Sequence, residues 1–191
     1  LERDEADVFC RLQPEYKVHG TFVENDEYAY VLNPKNTELN KQFNAFIAGF
    51  RQTDVYKDIL ERTAECSEHQ FTSKPVENTG AGDKVLRVLI YEDWEPVSFL
   101  NTETNRWEGA DVELTTHFAN SIGAGIEFYP IGSYEQALLD LCFGKVDLLA
   151  SPDSLEIKTD LEKGGNVTMS DCVWVKDIVF IVNTTDYQME N

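Results

Sequence analysis

The side chains able to bind, cleave or ligate are not arranged in any spacing that catalysis requires. There is no Gly-x-Ser-x-Gly elbow, no phosphate-cradling P-loop, no His-Glu-x-x-His and no dinucleotide Gly-x-Gly-x-x-Gly. Cys10, Cys66, Cys142 and Cys172 include no Cys-x-x-Cys pair, which argues against a zinc site. Their even count permits two disulfides with three connectivities. Bridges Cys10–Cys66 and Cys142–Cys172 would each stay within one segment; the alternative is four free thiols, cysteine being often buried as a small apolar residue. Carboxylates are many, but none has a context that marks a raised pKa, so no acid–base pair stands out. What remains is a set of polar and aromatic residues directly after strand-like runs in residues 85–182. In open α/β sheets, that is where ligands bind.

The charge balance narrows the partners. With 35 acidic and 16 basic residues the formal net charge is −19. Such a field repels phosphate backbones and anionic membrane surfaces, which excludes nucleic acid as a partner. Hydrophobic residues make up 42% of the chain, enough for a packed core. No apolar run approaches the length of a membrane span. The chain opens in mid-stream and reads as a mature or excised piece of a longer protein.

The elements that must position these residues follow from period and punctuation. Residues 6–11 read as a short strand, then 17–23 and 28–32 as two more strands separated by the polar turn Glu24-Asn25-Asp26-Glu27. Asn33-Pro34 stops the extended run. A helix follows, capped by Asn36 or Thr37, with Leu39, Phe43, Phe46, Ile47 and Phe50 on one face. A second helix over 53–64 places Val55, Tyr56, Ile59 and Leu60 together. Residues 67–83 carry no hydrophobic period and read as a linker between segments 1–66 and 84–191. Strands are expected at 85–90, 126–129, 146–150 and 173–182. Helices are expected at 110–122 and, capped by Ser133, at 133–143. A shorter helix is read at 154–162. Alternating strands and helices predict an α/β fold, an open and mostly parallel sheet flanked by helices. Asp111 and Glu113 open one helix and read as acidic partners of its dipole.

The order of motifs in 86–182 resembles the first lobe of the type-II periplasmic solute-binding proteins, the family 3-like group that binds amino acids and other small polar solutes. Four stretches carry the resemblance. They are Trp94-Glu95-Pro96-Val97-Ser98-Phe99, Gly109-Ala110-Asp111-Val112-Glu113-Leu114, Leu141-Cys142-Phe143-Gly144-Lys145-Val146-Asp147 and Met169-Ser170-Asp171-Cys172-Val173. Residues 28–60 are similar to the terminal segment of the same fold, whose helices pack back on the first lobe. The chain therefore reads as the tail of one binding domain followed by the head of the next. Joined by 67–83 at ~3.3 Å per extended residue, the two segments can associate as one circularly permuted lobe.

The resemblance implies a ligand cleft between two hinged lobes. The first lobe would contribute an aromatic shelf from Tyr91 or Trp94 and polar groups around Ser151, Asp153 and Ser154. The family's Thr-x-x-Arg is replaced by Leu155-Glu156-Ile157-Lys158. Lys158 thus stands where an arginine fork would hold a carboxylate, and the field of Asp153 and Glu156 is negative. This weakens the expectation of an α-amino acid and leaves a cationic or neutral solute, or a lobe that has lost binding altogether, as the alternatives. No cofactor is implied, and the role is binding rather than catalysis. The implied location is extracytoplasmic, with a membrane permease or the membrane-anchored signalling part of the parent chain as protein partner. Three parents fit: an importer's solute receptor, a transmembrane sensor, such as a histidine kinase or cyclase, with tandem binding domains, and a cell-wall enzyme to which such a lobe is fused for regulation.

Overall fold

The computed structural model describes residues 1–80 and 84–185. The end of the expected linker at 81–83, and 186–191 of the second segment, lie outside the described residues. The chain order is α1 (Arg3–Leu12), β1 (Tyr16–Leu32), α2 (Thr37–Phe50), α3 (Asp54–Ala64), β2 (Val85–Ile90), β3 (Asp93–Trp94), β4 (Ser98–Asn101), β5 (Arg106–Glu108), α4 (Ala110–Ser121), β6 (Gly125–Pro130), α5 (Tyr134–Cys142), β7 (Leu148–Ser154), α6 (Lys158–Leu161), β8 (Thr168–Met169) and β9 (Trp174–Asn183).

The main sheet runs β6-β2-β7-β1-β8, with β9 also paired to β1. Strand β2 lies parallel to β6 and β7, as the βα alternation of the second segment requires. Strand β1 enters antiparallel to β7, β8 and β9. The sheet is thus parallel where the second segment builds it and antiparallel where the first segment joins it. A small antiparallel sheet, β3-β4-β5, sits at its end.

Period-2 alternation gives the sheet two buried faces. Tyr30 and Leu32 of β1, Leu86, Val88 and Ile90 of β2, and Leu148 and Ala150 of β7 enter one core with α2, α3 and α4. Val31, Leu89 and Leu149, the residues between them, enter a second core with Ala137 and Leu141 of α5. The first segment therefore supplies the middle of the second segment's lobe. On α2 the expected face is the buried one: Phe43 packs its ring 5.6 Å from Tyr30 and edge-on, at 5.0 Å, to Phe118 of α4.

Three expectations are corrected. Residues 6–11 form part of helix α1, not a strand: Asp4 and Glu5 open it, Arg11 closes it, and Ala6 and Asp7 face inward. The turn at 24–27 is absent, and β1 continues straight through it, because β9 supplies an unbroken antiparallel partner from Glu24 to Tyr28. On α3 only Tyr56 and Ile59 of the four expected residues are buried; Val55 and Leu60 remain exposed. Tyr56 stacks on Trp174 at 5.2 Å and donates its hydroxyl to the Val173 carbonyl.

Residues 67–80 have no regular structure beyond a single 3-10 turn, but they are strapped down. Phe71 is buried, Arg62 donates to the Thr72 carbonyl, the Lys74 amide donates to Glu113, and Asn78 bonds Asn120. Asp111 and Glu113 are both buried, not solvated dipole partners. Arg62 forks onto both Glu113 oxygens at 2.8 and 2.6 Å. Asp111 accepts from the Tyr30 hydroxyl and, at 2.7 Å, from the Trp174 indole. Neither disulfide is formed. The Cys66 thiol points to the Arg62 carbonyl and is pushed up to about 12 by burial, and Cys172 turns to the Trp174 carbonyl.

Candidate functional site

Strands β2 and β7 are parallel neighbours, so their C-terminal ends open on the same edge of the sheet. Chain leaving β2 carries Tyr91, Asp93 and Trp94; the end of β7 carries Ser151, Pro152 and Asp153. Between them lies an open cleft of about 460 Å³, completed by Tyr134 from the first turn of α5 and Glu5 from α1.

Each wall is held by a local cause. The Ser98 hydroxyl donates to the Tyr91 carbonyl at 2.9 Å, tying β4 to the loop after β2. Glu95 accepts from Arg11 at 2.9 Å and from the Phe71 amide at 2.6 Å, anchoring that loop to α1 and to the strapped segment. Gly109, at φ 123°, lets the chain pass close under Val97; a Cβ there would lie 2.4 Å from the Val97 carbonyl oxygen. Ser133 caps α5 by accepting from the Gln136 amide, which sets Tyr134 at the mouth of the cleft.

The cleft is aromatic and anionic. Tyr91 and Trp94 meet edge to face at 5.4 Å. The Trp94 indole donates to Glu5 at 2.8 Å, and the Tyr134 hydroxyl donates to Asp153 at 2.5 Å. Burial raises the Asp153 carboxyl above the usual aspartate range, outweighing the hydrogen bond from Tyr134. Ser151 is only 4% exposed and lines the cleft. No arginine or lysine lines it among the described residues. The nearest ammonium, Lys176, lies 5.7 Å from the Trp94 ring centroid but is bound elsewhere, 2.6 Å from Glu2 and 2.9 Å from Asp4. Burial would lower its pKa, yet Asp4 and Glu2 carry it above the ordinary lysine range.

Of the six residues expected to bind, Tyr91, Trp94, Ser151 and Asp153 come together. Ser154 does not join them: its hydroxyl donates to Asp26 and accepts from the Glu156 amide, capping a 3-10 turn. Lys158 stands half-buried in α6 away from the cleft. Three residues were missed. Tyr134 follows a helix cap at the same sheet edge, a signal that could have found it. Asp93 sits between two expected residues. Glu5 is far away in sequence and carried no signal.

Residues 86–187 match the model of the bacterial extracellular solute-binding proteins, family 3. Among solved structures, the phosphate-binding protein of a phosphate ABC transporter from Streptococcus pneumoniae is similar at 12% identity and a TM-score of 0.39. That likeness covers 92% of this chain and 57% of the other, so the chain spans little more than half the length of that protein. No curated protein matches.

Proposed function

The chain belongs to the bacterial extracellular solute-binding proteins of family 3, and we propose that the cleft between β2 and β7 is one jaw of a solute clamp that works outside the cytoplasm. In this reading, segment 1–66 is the tail of a binding domain, 67–83 the connection, and 84–191 a first lobe that the tail completes. The long antiparallel contact of β1 with β9 fits the pair of strands that would lead to a second lobe. Closure of that lobe would shift a population the free protein already samples.

The solute class we infer is a small polar cation or neutral molecule, rather than an α-amino acid held by its carboxylate. The observation that carries this is the composition of the cleft: three aromatic rings, three carboxylates and no cation among its described walls. Rings present their negative faces to an ammonium, and carboxylates supply charge-assisted acceptors. Microcalorimetry of the chain with putrescine, glycine and glutamate tests the reading. Putrescine is expected to bind weakly, because half of the cleft is missing, and glutamate not at all. Preferential glutamate binding would overturn it.

Membership of the family supports a role in solute recognition. The parent is either the receptor of a membrane permease or the sensor of a transmembrane signalling protein. The order of tail before head supports the second, since tandem domains place a tail directly before a head. Sequencing the flanking gene regions decides: a membrane helix leading to a kinase or cyclase domain supports the sensor, and its absence supports the receptor.

A further inference from the structure

Lys176 lines a second cavity of about 380 Å³, bordered by α1, the end of α3, the first turn of α4 and the start of β9. Its walls combine Leu60, Val97 and Trp174 with Asp7, Asp111 and Lys176. Most of the charge there is already matched. Arg3 holds both oxygens of Asp7 at 3.1 and 3.0 Å, and Lys176 holds Glu2 and Asp4. Asp111 is the exception. It is fully buried, and both of its donors, the Tyr30 hydroxyl and the Trp174 indole, go to Oδ1. Its Oδ2 makes no hydrogen bond.

A buried carboxylate oxygen without a donor is costly, and one without a contacting cation more so. A ligand that satisfies Oδ2 must therefore bring a hydrogen-bond donor, and an N–H on a positive nitrogen also matches the carboxylate's charge. The neighbouring walls of Leu60, Val97 and Trp174 suit a compact apolar body. We propose that this cavity binds a small primary ammonium ion carrying a short apolar group, with its N–H donated to Asp111 Oδ2. Burial pushes the Asp111 carboxyl up to about 7, and a bound ammonium would draw it back down. The site is separate from the cleft and does not depend on what the cleft binds.

The three tryptophans make the test specific. Each indole N–H gives its own proton–nitrogen signal: Trp174 reports the inner cavity, Trp94 the cleft, and Trp107 neither. The full chain is titrated with cyclohexylammonium, cyclohexanol and cyclohexanecarboxylate. Cyclohexylammonium is expected to move the Trp174 signal saturably, cyclohexanol to bind about tenfold more weakly or worse, and the carboxylate to leave it in place. D111N should weaken the ammonium by a similar factor. Ala64 is exposed on the cavity rim, so A64F fills the mouth without touching the core and should abolish the Trp174 response while Trp107 keeps its position. A shift of Trp94 alone, an equal response to cyclohexanol, or a full response in A64F overturns the proposal. The first of these leaves the reading of the cleft intact.

Discussion

Two acidic regions of this lobe are built in opposite ways. At the α3–α4 contact, Glu113 is 3% exposed and Arg62 5%, and every charge has a partner: Arg62 binds both Glu113 oxygens and Asp58, while Lys74 binds Asp58. At the sheet edge, Glu5, Asp93 and Asp153 face a common space that no cation lines among the described residues, and neutral donors, the Trp94 indole and the Tyr134 hydroxyl, reach two of them. Where countercharge comes from the chain, the carboxylates join elements together. Where it does not, they stand at an open edge without countercharge from the described residues around them.

Breaking the matched region should have the greater effect on stability. Glu113→Ala takes the bidentate carboxylate from a buried guanidinium, leaving it Asp58 and the Thr72 carbonyl, and frees the strap at Lys74, so unfolding in urea should show a loss of about 3 kcal/mol. Replacing Arg62 and Glu113 together by Met and Leu should restore much of that loss, because no lone charge is left.

Asp111 is expected to set a pH dependence. Its carboxyl is raised from 3.8 to about 7, chiefly by burial, against the lowering effects of Tyr30, Trp174 and Lys176 and with Asp4 adding to the rise. The folded state then holds a proton that the unfolded state has released. Stability from this group is present in acid and is lost as pH rises toward 7. The difference between wild type and Asp111→Asn, followed by thermal melts from pH 4 to 8, should grow through that window and then level. A difference that stays constant from pH 4 to 8 would show that Asp111 does not titrate there.

Changes in the unmatched region should act on binding instead. Asp153→Asn is expected to weaken putrescine about tenfold by calorimetry, the cost of one charge-assisted contact, with urea unfolding little altered. If stability falls as far as in Glu113→Ala, the cleft carboxylates are structural and the contrast between the regions fails. The smallest effect is a control outside both. Thr53→Ala removes the hydroxyl that accepts from the Tyr56 amide at the start of α3 and should cost about 1 kcal/mol in the same unfolding assay.

Much of the fold was legible from local signals. The apolar face of α2, the caps at Asn36 and Ser133, and the strands around 85–90 and 173–182 all depend on nearest neighbours along the chain. The errors occurred where a distant partner overrode the local signal. Polar residues 24–27 stay extended because β9 pairs with them, and Asp111 and Glu113 are buried because Arg62, Tyr30 and Trp174 arrive from other elements.

The same division holds for the site. Order and spacing of residues were enough to locate the sheet edge and four of the residues that line it. Only the folded chain excluded Lys158 and Ser154 from the cleft and brought in Glu5 beside Trp94. Helices and strands are chosen by interactions a few residues apart, whereas the charge in a cleft is a sum over side chains whose proximity exists only after the sheet has closed around β1.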